Sequence, residues 1–391
     1  MALATAVSFS LWSCSPASTP SPSPTIVPVP TSVRPSKAPP VKLDTATTAA
    51  LQSALDKLLI KYKIAGAEAA VVLPDGSEWT GVSGLAVQST KQPMTSTTLM
   101  SVGSITKTFT GTIALRLAEN GTISLDDPLS KYLPSYPNAA NITLRELMNH
   151  TSGIQDLFDK SVYSAIDANH NTKWTPDQLL AKIGKPYFKP GGGYHYSSTN
   201  YVILGQVIEK VTGQKLVTLI RTEFLEPLGL THTFFQSEEA DSGTLAHGYL
   251  SPKVKMDPTV DISVGQKMVP YVSAATATGS SGAIASTASD IAIWASALYS
   301  GKFFSETTLA SMVDFSSTAQ FNPHIPYGLA CEQFTLSGQN AWGHRGHVDG
   351  FWSVMAYLPD LGITVTLLTN ADWINPLLPL ASLVSVVSPA A

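Results

Sequence analysis

Ser104-Ile105-Thr106-Lys107 stands at the start of a segment, residues 105–120, in which apolar residues recur at helical spacing. One face of this predicted helix carries Phe109, Ile113 and Leu117. Gly121 follows at the position where helices commonly stop. Residues three apart are neighbours on a helix surface, so we expect Lys107 beside the Ser104 hydroxyl. Because a free serine hydroxyl is a poor nucleophile, a nearby uncharged lysine could activate it.

Alone, this spacing is weak evidence, because a serine-rich chain contains such a pair by chance. It leaves open a structural role, in which the serine caps the helix and the lysine lies on the surface. Other catalytic and nucleotide-binding motifs are missing from the 391 residues: G-x-S-x-G, H-E-x-x-H, a Walker loop and G-x-G-x-x-G. Two cysteines rule out a four-thiolate zinc site. The sequence therefore favours serine chemistry without a metal or an organic cofactor.

Five further stretches follow the S-x-x-K motif along the chain. They are Leu147–Ile154 (LMNHTSGI), Pro190–Tyr201 (PGGGYHYSSTNY), Gly282–Asp290 (GAIASTASD), Tyr327–Leu329 (YGL) and Trp342–Gly350 (WGHRGHVDG). With these motifs in this order, the chain resembles the penicillin-recognising serine hydrolases: class C β-lactamases, D-alanyl-D-alanine carboxypeptidases and their esterase relatives. The resemblance runs from about residue 48 to residue 376, and it implies a β-lactamase/transpeptidase-like fold.

The resemblance also implies a role for individual residues. Ser104 would be the acylated nucleophile, and Lys107 would help to remove its proton. Tyr196 would be a second acid/base group that passes a proton to the leaving amine or alcohol. His344 would occupy the basic position of the last motif, close to the tyrosine oxygen and the serine. The backbone N–H groups of Ser104 and His347 would form the oxyanion hole. Whether Lys107 or Tyr196 is the principal base stays open.

Two positions depart from the family pattern. The second motif usually reads Tyr-x-Asn, but here Ser198 stands in place of the asparagine, which puts recognition of a peptide-like acyl amide in doubt. In the last motif, His344 stands where class C β-lactamases carry lysine, as in the carboxypeptidase and esterase branches. Ser198 and Gly346 are retained as predicted substrate-binding positions.

Arg345 is the second unusual residue of the last motif, at a position that usually carries a small hydroxyl residue. Its planar guanidinium could pair with a substrate carboxylate, such as the end of a D-alanine peptide. The alternative is a surface arginine that points away from the cleft.

The chain outside these motifs predicts an α+β fold. Residues 48–63 have helical spacing, and the strand-like runs 67–73 and 78–84 flank a Pro-Asp-Gly turn. Two more strand-like runs, 352–357 and 362–369, follow the Trp342–Gly350 motif, and an apolar closing helix is expected from residue 377. Tyr327–Leu329 is expected to be a strand, followed by a small buried residue, Cys331. We therefore expect an antiparallel sheet flanked by helices, with an all-helical lobe inserted between residues 140 and 300.

The first 42 residues differ from the rest. Residues 1–14 form a short apolar run that ends at Cys14 and resembles a bacterial lipoprotein signal, although no basic residue precedes it. Residues 15–42 are rich in Pro, Ser and Thr and are predicted to be a disordered linker before a single folded domain, 43–391. The expectation is an extracytoplasmic protein, secreted or anchored by lipid on Cys14. A disordered cytoplasmic tail is the alternative.

The predicted function is that of a serine hydrolase working through an acyl-serine intermediate. A D-alanyl-D-alanine carboxypeptidase acting on cell-wall peptides comes first, followed by a carboxylesterase and a β-lactamase. A tethered muropeptide-binding protein without activity is the non-enzymatic alternative. The partner is then a small-molecule or peptide substrate: a cell-wall peptide, an ester or a β-lactam. A formal net charge of −4 gives no support for nucleic-acid binding. The membrane would be contacted only through the lipid on Cys14, and the oligomeric state stays open.

Overall fold

The computed structural model describes residues 41–251 and 259–388. Cys14 and nearly all of the predicted linker 15–42 lie outside these residues. The helices are α1 (Thr45–Tyr62), α2 (Thr106–Glu119), α3 (Leu144–Met148), α4 (Lys160–Asp167), α5 (Pro176–Leu180), α6 (Ser198–Thr212), α7 (Leu216–Ile220), α8 (Glu226–Leu228), α9 (Val272–Thr278), α10 (Ala288–Tyr299), α11 (Glu306–Met312), α12 (Ser316–Ala319) and α13 (Leu377–Val387).

The strands come from both ends of the described chain and from short segments in its middle. They are β1 (Gly66–Val72), β2 (Glu78–Val87), β3 (Gln92–Pro93), β4 (Met100–Ser101), β5 (Phe234–Phe235), β6 (Tyr249–Leu250), β7 (Val260–Asp261), β8 (Ile284–Ser286), β9 (Glu332–Leu336), β10 (Gln339–Val348), β11 (Phe351–Leu358) and β12 (Ile363–Thr369).

The main sheet is antiparallel and joins the two ends of the chain. Its strand order over the described residues is β3-β2-β1-β12-β11-β10-β9. The predicted hairpin is confirmed: Val72 pairs with Glu78 across the turn, and Gly76 takes a φ of 84°, a left-handed conformation that glycine adopts without strain. Ala67 of β1 pairs with Thr369 of β12, which closes the sheet between N- and C-terminal segments.

Each face of the sheet is covered by helices. The predicted first helix and closing helix are confirmed as α1 and α13, which pack against one another and bury Leu51, Leu55, Leu380 and Val384 against one face. The opposite face carries α10, which contacts β1, β11 and β12. Within the described chain, every helix is too short or too polar to cross a lipid bilayer.

The inserted lobe surrounds α2, whose first ten residues are buried. Helices α6 and α7 pack against α2, and the short strands β5 and β8 also lie in this middle segment, so the lobe is not purely helical. The α10 helix belongs to the sheet side although it falls within the segment predicted as the inserted lobe. The ring of Phe109 stacks on that of Trp294 at a centroid distance of 3.9 Å, which joins α2 to α10.

The stretch from Trp342 to Val348 precedes the strand pair β11 and β12, as expected, and is itself part of β10. One local expectation was wrong. The Tyr327–Leu329 segment was expected to be a strand, but it forms a turn before β9. Ala330 has a φ of 59°, and Gly328 N–H donates to the Cys331 carbonyl at 2.8 Å, so the backbone reverses there. Cys331 is a buried free thiol, as expected, and burial raises its pKa to about 12.

Candidate active site

Ser104 lies in a short 3-10 turn, Gly103–Ile105, that leads directly into α2. The Lys107 ammonium group donates to the Ser104 hydroxyl at 2.9 Å, to the Ser198 hydroxyl at 3.1 Å and to the Ser281 carbonyl at 2.9 Å. The side chain of Lys107 is fully buried, so this lysine is not the surface residue of the structural alternative. The structure thus brings Ser104, Lys107 and Ser198 together, with Ser198 facing the lysine.

Burial controls the charge of Lys107. Removal of the amine from water lowers its pKa to about 7, although the charges of Asp156 and Glu332 work in the opposite direction. The rings of Tyr196 and Tyr201 lie 5.0 and 5.6 Å from Nζ. This lowered pKa makes the uncharged lysine, the state required of a base, accessible near neutral pH.

Tyr196 is a half-buried tyrosine whose neutral phenol oxygen is shielded from solvent. Burial raises its pKa well above its usual range, and an interaction with the Ser104 side chain works against that rise. Its oxygen makes no hydrogen bond with any of the described residues. The Tyr196 ring packs on the His150 ring at a centroid distance of 4.2 Å, and this contact fixes the position of the tyrosine side chain. Tyr196 therefore offers a proton-bearing oxygen next to the serine hydroxyl.

His344 is buried, and both of its ring nitrogens lie within hydrogen-bond distance of groups of the protein. Its Nδ1 lies 2.5 Å from the Arg345 carbonyl, and its Nε2 lies 2.8 Å from the Tyr327 hydroxyl. Because a carbonyl can only accept, Nδ1 carries the proton and Nε2 accepts from Tyr327. Burial lowers the pKa of His344 to about 4, so the ring is neutral. The rings of His344 and Tyr196 are 6.3 Å apart.

The edge of β10 turns a backbone amide towards the serine. Strand β9 pairs with β10 only as far as Glu332, opposite Gly343, and Arg345 N–H donates to the Glu332 carboxylate on the same side. Successive backbone amides of a strand point to its two edges in turn. His347 N–H therefore points to the same edge of β10 as Arg345 N–H, beyond the last residue of β10 that pairs with β9. A Cβ on Gly103 would lie 2.9 Å from His347 N, which places the Ser104 turn against this amide.

Gly346 is required by the close approach of β10 to the nucleophile turn. A Cβ at this position would lie 1.9 Å from the Val102 carbonyl oxygen and 2.3 Å from the Ser353 hydroxyl. Those two groups are themselves hydrogen-bonded at 2.8 Å. Gly346 is therefore placed where it sets the spacing between the strand and the Ser104 turn.

We expect Gly346→Ala to displace the Ser104 turn from β10 and to reduce turnover by about a hundredfold or more, because a misplacement of 1 Å near the reacting atoms is that costly. Overpacking should also destabilise the fold by about 1–3 kcal/mol. Steady-state kinetics and thermal unfolding measure both effects. Gly184→Ala is the control, since its added Cβ meets only the end of the Gln155 side chain, at 2.9 Å. Unchanged turnover in Gly346→Ala would contradict the proposed spacing.

Arg345 neither points into solvent nor has a free guanidinium for a substrate carboxylate, the two possibilities considered from sequence, because it pairs with Glu332. Its Nε donates to Glu332 Oε2 at 3.1 Å and its Nη2 to Glu332 Oε1 at 2.8 Å, a two-pronged ion pair within the protein. The Arg345 side chain is 25% exposed and that of Glu332 only 6%. Burial would raise the pKa of Glu332, but the charge of Arg345 outweighs it and holds the pKa below its usual range. The arginine is thus already neutralised.

Four residues of the site were not assigned a role from sequence: Tyr327, Glu332, His150 and Asp156. Tyr327 and His150 belong to quoted motifs, so the pattern contained a signal for them. Asp156 accepts from Ser198 N–H at 2.8 Å, at the N-terminus of α6, and Glu332 has no local motif. In the part of the chain that the structure describes, no group of three or more His, Cys, Asp or Glu side chains could hold a metal ion.

A serine beside a buried lysine, between an antiparallel sheet and an inserted lobe, defines the β-lactamase and penicillin-binding protein fold class. The chain belongs to the Beta-lactamase family, whose model matches residues 51–377. Among solved structures, a D-stereospecific amidohydrolase from Streptomyces sp. is 29% identical with a TM-score of 0.75, covering 88% of this chain and 99% of that one.

Two further similarities agree on the fold. The D-amino acid amidase from Ochrobactrum anthropi SV3 has a TM-score of 0.76 at 23% identity, and the match covers 88% of this chain and 99% of that one. A Bacillus subtilis (strain 168) protein described as "Putative penicillin-binding protein PbpX" is 31% identical over 222 residues, which is 56% of this chain and 51% of that protein. The chain spans between about a third and a half of the length of the curated relatives it matches.

Proposed function

We propose that this protein is a serine amidohydrolase that cleaves amides of D-amino acids or D-aminoacyl peptides through an acyl-Ser104 intermediate. The observation that carries the proposal is the Lys107–Ser104 contact of 2.9 Å, made by a fully buried lysine whose pKa is about 7. A surface lysine next to a capping serine would have neither the burial nor the lowered pKa. The site therefore has the parts that a serine nucleophile needs.

The proposed reaction gives each of these groups one step. Uncharged Lys107 takes the Ser104 proton as Oγ attacks the carbonyl carbon, and the negative charge on the carbonyl oxygen is stabilised by the amides of Ser104 and His347. The C–N bond then breaks while Tyr196 gives its proton to the leaving nitrogen, and the proton held by Lys107 restores the phenol. Water attacks the acyl-serine ester by the reverse sequence, which releases the acid and frees Ser104.

The choice of substrate rests on similarity and on Arg345. The amidohydrolase from Streptomyces sp. is 29% identical over nearly its whole length, and its description names a D-stereospecific amide hydrolase. The hypothesis that Arg345 pairs with a substrate carboxylate needs a free guanidinium, and Glu332 already pairs with it. D-alanyl-D-alanine carboxypeptidase, carboxylesterase and β-lactamase activities remain the alternatives within the same fold.

Turnover of paired amides and reaction with benzylpenicillin test the proposal. We expect release of ammonia from D-phenylalanine amide at a kcat/KM at least about tenfold above that for the L-amide. Intact mass after brief exposure to benzylpenicillin separates the alternatives. A lasting adduct without amide turnover would indicate a penicillin-binding peptidase, and rapid loss of the drug a β-lactamase. Turnover of esters alone would indicate a carboxylesterase, and no reaction with any probe would favour the muropeptide-binding protein.

We also propose that the protein acts outside the cytoplasm. The support is the apolar run that ends at Cys14, followed by the Pro/Ser/Thr-rich residues 15–42. Metabolic labelling with a palmitate analogue, compared between the full chain and Cys14→Ser, tests the lipid attachment.

A further inference from the structure

The edge of β10 next to the serine is occupied by a carboxylate of the protein itself. Glu332 is the first residue of β9, and the pairing of β9 with β10 ends there, opposite Gly343. The two carboxylate oxygens of Glu332 accept three hydrogen bonds from Arg345: backbone N at 2.9 Å, Nε at 3.1 Å and Nη2 at 2.8 Å. A planar carboxylate on the Nε–Nη2 side of a guanidinium is the geometry by which arginine recognises acids. Glu332 thus fills the position in which a carboxylate ligand would bind.

This ion pair lies on the leaving-group side of the site. Tyr327 forms a β-bridge with Glu332, and its ring lies 5.9 Å from that of Tyr196, the group that would protonate the leaving atom. Arg345 directly follows His344, whose ring lies 6.3 Å from the Tyr196 ring. The acyl carbonyl would lie further along the same edge of β10, at the His347 amide that the Ser104 turn approaches. The departing part of the substrate therefore passes the Glu332–Arg345 pair.

The other basic residues at this position offer no free positive charge to a substrate. Lys107 is buried and hydrogen-bonded to two serine hydroxyls and a carbonyl. His344 is buried between the Arg345 carbonyl and the Tyr327 hydroxyl, both within hydrogen-bond distance. A substrate carboxylate at this position would meet an ion pair with no net charge, because the Glu332 carboxylate is already bound to the Arg345 guanidinium.

We propose that Glu332 is a specificity-determining residue that holds Arg345 and so restricts the enzyme to substrates with an uncharged leaving group, such as a primary amide or an ester. This inference rests on the proposed acyl-serine reaction. It predicts poor cleavage of peptides that end in a free carboxylate, because such a ligand must displace Glu332 or lie beside it. Like charges placed together disfavour the wrong partner strongly.

Two aryl esters with the same phenylacetyl group test this directly. Their leaving groups are 3-hydroxybenzamide, which is uncharged, and 3-hydroxybenzoate, which carries a carboxylate. For the natural sequence we expect kcat/KM to be at least about tenfold higher with the carboxamide ester. In Glu332→Gln the side chain keeps its size and one acceptor but loses its charge. We expect the preference for the carboxamide ester to fall about tenfold, mainly through a lower KM for the carboxylate ester.

Two controls separate this role from a general disturbance. Adding Arg345→Gln to Glu332→Gln should abolish the gain on the carboxylate ester. Glu239→Gln removes the charge from another Arg–Glu pair, with Arg221 at 2.5 Å, and should leave the preference unchanged. Equal rates on both esters in the natural sequence would overturn the inference even if Glu332→Gln fails to fold. If neither ester acylates Ser104, the proposed function itself fails, and the inference falls with it.

Discussion

Replacing Ser104 by alanine is expected to abolish formation of any acyl adduct and to reduce amide turnover on the order of 10⁴-fold or more. The reason is that Ser104 supplies the only atom that becomes bonded to the substrate in the proposed reaction. Losing the nucleophile of a serine hydrolase removes nearly the whole contribution of the catalytic group, and only binding and the oxyanion amides remain. The Lys107 amine would keep its contacts with Ser198 and Ser281 in this variant.

Intact mass spectrometry measures this outcome after exposure to a fluorophosphonate or to benzylpenicillin. The natural sequence should gain the mass of one acyl or phosphonyl group, and Ser104→Ala should gain none. Ser289→Ala is a matched control, because this serine lies in the first turn of α10 and its hydroxyl donates to Glu78 of β2 instead of joining the Lys107 cluster. An adduct that survives in Ser104→Ala would assign the nucleophile to another residue.

Changing Lys107 is expected to have the next largest effect, a loss on the order of 10²- to 10⁴-fold in kcat/KM, which is the range for a general base. Lys107→Arg is the most informative variant. Arginine keeps the positive charge and comparable length, but it cannot give up its proton at any working pH. If the lysine acts as the base, the arginine variant should be as inactive as Lys107→Met. Activity within about tenfold of the natural sequence in Lys107→Arg would show that Tyr196 or another group is the base.

The pH dependence gives an independent measure of the same role. The pKa of Lys107 is about 7, lowered from 10.5 by burial. A base must be uncharged, so kcat/KM should rise as the pH increases through about 7 and then level off. In Lys107→Met this rise should disappear from whatever activity remains. A rise at the same pH in Lys107→Met would assign the titration to a different group.

These predictions share one physical basis, the exclusion of water from the α2 N-terminus. Lys107 is fully buried, although lysine is among the residues least often found inside proteins. Its three hydrogen bonds satisfy the three donors of the ammonium form, while burial disfavours that charge, and an uncharged amine would use its lone pair to accept from the Ser104 hydroxyl. The same arrangement that costs folding free energy thus prepares an uncharged base next to the serine, as is common at functional sites.

Local sequence patterns were sufficient for the elements that carry the nucleophile. The apolar spacing after residue 105 and Gly121 predicted the helix that the structure places at Thr106–Glu119. The i, i+3 spacing of Ser104 and Lys107 predicted their contact, because one helical turn brings such residues together wherever the helix lies. The hairpin around Pro74-Asp75-Gly76 and the paired C-terminal strands followed from turn chemistry and short apolar runs. The order of six motifs indicated the family.

The tertiary structure alone decided the partners of the last motif. Nothing local to Gly-His-Arg-Gly indicates that β9 begins at Glu332. This boundary nevertheless places the Glu332 carboxylate on Arg345 and leaves the His347 amide on an unpaired strand edge. In the same way, His344 hydrogen-bonds with Tyr327 because the turn at Ala330 brings that tyrosine back to β10. Helical contacts depend on spacing within one segment, whereas the partners of an edge strand depend on where a distant segment ends.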